Sequence, residues 1–168
     1  MDTIENTIGD YKKFLDDVYT NIKGLGINVS DFPIDHIAYR TTTKEKYEAI
    51  RHELSKFGTM ISEIIIRERP VAIFKLDDPL DYKGMKISFF EILAPAKGDT
   101  FYTEGLEHAE FVVNNPLLEM INKYPSIDFY FNKSEINPEL ILRFPIQANV
   151  KFHELPIDEV IKLQEAKH

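Results

Sequence analysis

Histidine is the residue type that can do chemistry in this chain. There are five histidines and no cysteine. Without cysteine there is neither a disulfide nor a thiolate zinc site, so a transition metal must take imidazole, carboxylate or water. Three of the five lie in short apolar runs that read as strands. His36 sits in Asp35-His36-Ile37-Ala38-Tyr39-Arg40, His108 in Glu107-His108-Ala109-Glu110-Phe111-Val112, and His153 in Lys151-Phe152-His153-Glu154-Leu155. His52 falls on the surface of an expected helix and His168 is the last residue, so both read as solvated.

The first two runs share an order: an acid, a histidine, then alternating apolar positions. Two later runs are also alike, Phe89-Phe90-Glu91-Ile92-Leu93 and Lys151-Phe152-His153-Glu154-Leu155. Aligned on Phe90 and Phe152, Glu91 stands opposite His153. Side chains alternate between the faces of a strand. Ile34, His36, Ala38 and Arg40 therefore share one face, and Leu106, His108, Glu110 and Val112 share another. If the two halves are related by a twofold-like arrangement, His36, Glu91, His108 and His153 converge from four strands. Two or three imidazoles and one carboxylate suit Zn²⁺, Fe²⁺, Mn²⁺, Ni²⁺ or Co²⁺ and leave positions open to water or substrate. A single histidine inside an apolar strand is more often a hydrogen-bonded structural residue. The repetition is what favours a metal.

Other side chains belong to the same faces. Arg40 shares the face of His36 and is placed to grip an anionic substrate, or else forms a surface ion pair. Glu110 shares the face of His108 and is placed as a ligand's partner or a general base, or else is an exposed rim carboxylate. Lys151 shares the face of His153, but its long stem can reach water. Arg69 and Lys75 receive no role. The aromatic set Phe74, Phe89, Phe90, Phe111, Phe129, Phe131 and Phe152 reads as core, with one or two members lining the cleft.

The elements that must position these residues follow from periodicity. Ile4, Ile8, Tyr11, Leu15, Val18 and Ile22 recur at three- and four-residue steps and predict an N-terminal helix over 2–23, stopped by Gly24 and Gly26. A first β-α-β-β-β unit spans about 34–95. It comprises a strand over 34–40, a helix over 44–57 with Tyr47, Ile50 and Leu54 buried, and strands over 60–67, 71–76 and 86–93. Pro70 and Asp77-Asp78-Pro79 bound the middle strand. A loop over 96–104 leads to a second unit at about 105–155, with a strand over 106–113, a helix from Asn115-Pro116 to Lys123, and strands over 128–131, 139–144 and 149–153. A C-terminal helix follows over 156–166. The fold class is α+β: two βαβββ units forming a cupped mixed sheet or barrel, one domain over 1–168.

As a set, these stretches resemble the YecM-like family, which is structurally akin to the vicinal-oxygen-chelate superfamily of glyoxalases and extradiol dioxygenases. The resemblance is carried by Asp35-His36-Ile37-Ala38-Tyr39-Arg40, by Arg69 to Leu76, by Glu91-Ile92-Leu93-Ala94-Pro95, by Glu104 to Glu110, and by Val150-Lys151-Phe152-His153 running into Ile157-Asp158-Glu159-Val160-Ile161. It implies paired βαβββ units cupped around a metal, with ligands on the first and last strands of each unit. Position by position these are His36, Glu91, His108 and His153. His153 departs from the Glu common at the last place in that superfamily, and Glu154 next door should face away.

Composition narrows the partners. Net charge is −8, which disfavours nucleic acid and anionic membrane, since both demand a basic face. No apolar run approaches ~18 residues and the start lacks a signal-peptide core, so the expected setting is cytoplasmic with no membrane partner. There is no phosphate-binding Gly-rich loop, no Gly-x-Ser-x-Gly and no His-Glu-x-x-His. The leading expectation is a metal-dependent enzyme of isomerase, lyase or dioxygenase type on a small oxygen-rich molecule. The alternatives are a non-catalytic metal or small-ligand sensor, or a protein whose histidines are only structural. Both units lie in one chain, so a monomer can complete the site and a dimer is not required.

Overall fold

The structure is a computed structural model that describes residues 1–98 and 102–168. The middle of the loop expected over 96–104 lies outside the described residues. In chain order the elements are α1 (Ile4–Ile8), α2 (Tyr11–Gly24), β1 (Ile34–Arg40), α3 (Lys44–Leu54), β2 (Gly58–Ile66), β3 (Arg69–Tyr82), β4 (Met85–Leu93), β5 (Gly105–Val112), α4 (Leu117–Lys123), β6 (Tyr130–Asn132), β7 (Glu139–Leu142), β8 (Asn149–His153) and α5 (Ile157–Ala166). The strands form one mixed sheet in the order β2-β3-β4-β1-β5-β8-β7-β6. β1 runs parallel to β4, β5 runs parallel to β8, and β1 and β5 pair antiparallel at the centre. The order reads the same outward from that central pair, so the expected pair of βαβββ units is present and related by a local twofold. The sheet is cupped and does not close, leaving β2 and β6 as edges.

One face of the sheet is covered by α2 and α3. Leu15, Val18, Tyr47 and Leu54 are fully buried there with Ile37, Ile87, Phe90, Phe111 and Phe152. Each such side chain contributes roughly 1.5–3 kcal/mol by leaving water. Ile37 and Phe90 point to this face, so their neighbours His36 and Glu91 must point to the other. That other face is the inside of the cup. It holds a cavity of about 580 Å³, walled on one side by Ile157, Val160, Ile161 and Gln164 of α5.

The helix expected over 44–57 ends at Leu54, the strand over 128–131 is Tyr130–Asn132 and the strand over 139–144 ends at Leu142; two other elements differ more. The N-terminal helix is two helices. Gly9 takes a positive φ of 87° after Ile8, and the Asp10 side chain accepts the Lys13 backbone N–H at 2.9 Å to cap α2. β3 does not stop at Asp77 but runs on through Pro79. Beyond Leu76 it has no β2 partner, and its pairing with β4 shifts register between Lys75 and Leu80. A strand unpaired on one side and bulged on the other loses no ladder bond to a proline.

Candidate metal centre

The site is built on the central antiparallel pair and the two strands that flank it. In the register, His36 faces Glu110 and Ala38 faces His108 across β1 and β5. Ala38 also faces Glu91 on β4, and Glu110 faces Lys151 on β8. His36, Glu91, His108 and Glu110 are all buried, and one donor atom from each lies within 4.8 Å of the others. Asp35, His36 and His153 form a second such group.

Glu110 is the hub. Its Oε1 lies 3.1 Å from His108 Nε2, 3.4 Å from His36 Nε2 and 3.1 Å from Lys151 Nζ. Its Oε2 lies 3.0 Å from His153 Nε2. Glu91 closes the opposite side, 3.4 Å from His108 Nε2 and 3.9 Å from His36 Nε2. His36 Nε2 and both His153 nitrogens are buried without a well-aligned hydrogen bond, although carboxylate oxygens stand near His36 Nε2 and His153 Nε2.

The remaining imidazole nitrogens of the central pair are held from behind. His36 Nδ1 meets Asp35 Oδ2 at 2.9 Å, and His108 Nδ1 meets Glu107. Adjacent strand residues normally face opposite ways, so an acid should not reach the next histidine. Two β-bulges make it possible. The register shifts between Ile34 and His36 and between Ala38 and Tyr39, leaving Asp35 and Glu107 as the extra, unpaired residues. The twofold repeats the device in both units. Asp35 also accepts the Ile157 backbone N–H at 3.0 Å, tying the site to the first turn of α5, and Glu107 accepts Asn149 Nδ2 at 2.9 Å.

The electrostatics follow from these contacts. Burial alone would drive His108 toward neutrality, and Lys151 pushes the same way. Glu107 and Glu110 outweigh both and raise its pKa to about 10. Burial likewise opposes the charged form of His36, yet Glu110 and Asp35 raise it well above the usual range. Burial favours neutral Glu91, but His108 and His36 hold it below its ordinary value. Glu110 is held lower still against its own burial, by Lys151, His36 and the other imidazoles. Imidazolium and carboxylate balance one another here, and a divalent cation can take the place of the protons.

The donor set fits such an ion. Two ligands bound at about 2.0–2.2 Å are roughly 3–4 Å apart, which matches the 3.1–3.9 Å between the inward imidazole nitrogens and the oxygens of Glu91 and Glu110. Two imidazoles and two carboxylates suit Zn, Fe, Mn, Ni or Co. Each imidazole already has the carboxylate behind it that metal-bound histidines usually have.

Of the expected site residues, His36, Glu91 and His108 come together, joined by Glu110. His153 is buried at the edge of the group, on Glu110's other oxygen and 3.5 Å from Asp35. Glu154 faces away, accepting the Leu117 backbone N–H at 2.9 Å in the first turn of α4. Arg40 lines the cavity one step further along β1, its guanidinium 4.1 Å above the Tyr102 ring. Lys151 does not run out to water but turns onto Glu110, with Glu139 Oε1 at 3.6 Å. Asp35 and Glu107 were visible in the sequence only as the acid before each histidine. Phe131 is 42% exposed on the edge strand β6 rather than core.

A cupped sheet of paired βαβββ units around a buried His/Glu cluster is the class of protein that this fold and site define. The family described as YecM protein matches residues 3–139, and the chain belongs to it. That match includes His36, Glu91, His108 and Glu110 and ends before Lys151 and His153. Protein YecM of Escherichia coli (strain K12) is 29% identical over 114 residues, covering 67% of this chain and 60% of the relative. An uncharacterised Haemophilus influenzae protein is 27% identical over 110 residues, covering 65% and 57%. The chain thus spans under two thirds of the length of these relatives. Among solved structures, the structural-genomics protein EC4020 superposes with a TM-score of 0.75 at 23% identity, over 97% of both chains. A candidate dioxygenase from Bacillus subtilis subsp. subtilis str. 168 superposes with a TM-score of 0.50 at 14% identity, over 74% of this chain and 41% of that one. These likenesses show the fold.

Proposed function

We propose that the protein is a divalent-metal-dependent enzyme acting on a small, oxygen-rich anion, of isomerase, lyase or dioxygenase type. The observation that carries this reading is the convergence of His36, Glu91, His108 and Glu110, each buried, with both histidines backed by a carboxylate. His36, His108 and Glu91 would hold the ion, with Glu110 as fourth ligand or as the base beside it. The ion would supply Lewis-acid polarisation of two neighbouring substrate oxygens. His153 would orient Glu110 through Oε2.

The cavity beside the group favours an enzyme over a closed metal store, since about 580 Å³ is ample for a small molecule. Among the described residues its wall carries six cationic side chains, Arg40, Arg67, Arg69, Lys133, Arg143 and Lys151, against four carboxylates. In a chain of net charge −8 that is a local reversal of sign. Arg40, stacked on Tyr102, places a planar guanidinium on that wall. Ala38, Val71 and Leu93 form an apolar patch between it and the metal group. A 2-hydroxy or 2-oxo carboxylate combines the required anion with adjacent oxygens.

The test is elemental analysis of untagged, chelator-free protein beside a His36→Ala/His108→Ala variant. One equivalent of Zn, Fe, Mn, Ni or Co in the parent, absent from a still-folded variant, is the expected result. No metal in either, after soaking with each ion, would overturn it. The metal-loaded parent then identifies the reaction by turnover across a panel of 2-hydroxy and 2-oxo carboxylates.

A further inference from the structure

The local twofold has an exception at the site itself. His36 and His108 are images of each other, so Ala38 and Glu110, two residues on, are also images. Ala38 faces Glu91 on the parallel neighbour β4, and Glu110 faces Lys151 on the parallel neighbour β8. The image of Glu91 is therefore Lys151. His153 is two residues further along, the image of Leu93. Aligning Phe90 with Phe152 gives the right face and the wrong step. The fourth donor comes from Glu110, whose own image, Ala38, carries none.

We propose that Lys151 is a positioning residue that makes Glu110 the fourth metal-facing donor, in place of the residue the twofold would put on β8. The inference rests on the metal-dependent reading above. A symmetric arrangement would take one histidine and one glutamate from each unit, the glutamate always on the last strand. Here the second carboxylate has moved one strand inward, from β8 to β5, and a cation fills the position it left. Lys151 Nζ lies 3.1 Å from Glu110 Oε1, the same oxygen that faces both His36 Nε2 and His108 Nε2. Glu139 on β7 braces the lysine from its other side at 3.6 Å. With His153 Nε2 3.0 Å from Oε2, each oxygen of Glu110 has a neighbour that opposes a swing of the carboxylate away from the imidazoles.

The arrangement makes a relocation experiment decisive. Metal affinity is measured by competition with a chromophoric chelator, and folding by circular dichroism. The proteins compared are the parent, Lys151→Met, Lys151→Arg, Glu110→Gln, and Glu110→Gln/Lys151→Glu. A Glu139→Gln background is used for the last two and for a matched control, so that a glutamate at 151 has no carboxylate beside it. Lys151→Met should bind metal about 10–100-fold more weakly than the parent, and Lys151→Arg should recover most of that loss. Glu110→Gln should lose affinity, and returning the carboxylate to position 151 should restore it to within about 10-fold of the control, with the fold intact. Unchanged affinity in Lys151→Met overturns the proposal. So does a folded Glu110→Gln/Lys151→Glu protein that binds no better than Glu110→Gln. Absence of metal from the parent overturns both this and the reading beneath it, whereas metal in the parent without recovery overturns this alone.

Discussion

At the scale of single residues, the site depends on carboxylates that the metal would not touch. Glu107 fixes His108 through Nδ1 and is itself held by Asn149. Replacing it with glutamine keeps the shape and removes the charge. Glu107→Gln should therefore weaken metal binding by about 10–100-fold while leaving the fold intact, as titration with a competing chelator would show. The same contacts set a pH dependence. His108 binds its proton up to about pH 10, because Glu107 and Glu110 outweigh its burial and Lys151. An unfolded imidazole lets go near 6.5. The stability this contributes to the metal-free protein is fully present below about pH 6.5 and is lost as pH rises toward 10. Metal needs the neutral ring, so loading must expel that proton. Affinity should climb with pH through neutrality, and calorimetry in buffers of different ionisation enthalpy should register proton release on binding. The sequence displayed the acid-histidine pair twice, which made His36 and His108 legible. It could not display the bulges, because an extra residue in a strand exists only relative to its partner's register.

At the scale of elements, hydrophobic period located nearly every helix and strand, and the errors share one cause. The stripe from Ile8 to Tyr11 keeps helical spacing across Gly9, so the break into α1 and α2 was masked by a periodicity that both helices satisfy. Pro79 reads as a stop because proline costs a ladder bond, but β3 has no such bond to lose there. The alignment of Phe90 with Phe152 preserved face and missed register for the same reason: alternation fixes parity, and only pairing fixes the step. Pairing also makes one glycine irreplaceable. A Cβ on Gly58, at the start of β2, would overlap the Lys75 carbonyl oxygen and stand 2.9 Å from Leu76 Cα, both backbone atoms of β3. Neither can rotate aside. Gly58→Ala should cost about 1–3 kcal/mol, read as a lower urea midpoint with an unchanged denaturant slope.

At the scale of the whole molecule, the fold separates two tasks between the faces of one sheet. The face under α2 and α3 is close-packed and apolar, and the cup opposite collects buried charge. Such a cup is a liability without an ion, since the inward His36 Nε2 is buried and lacks an aligned partner. A cation held there by His36, His108, Glu91 and Glu110 would bind the folded chain and find no preformed site in the unfolded one. Its binding energy must therefore appear as folding stability. At free metal about 100 times Kd the gain is about 2.7 kcal/mol, or roughly 5–10 °C in melting temperature for a chain of this size. The stabilising ion should be one of Zn, Fe, Mn, Ni or Co rather than Mg or Ca, because two imidazoles favour the softer set. A chelator should reverse the shift. His36→Ala/His108→Ala should melt at the same temperature with or without the ion. Equal stabilisation of parent and variant would place the ion elsewhere on the acidic surface and leave the cup without a metal.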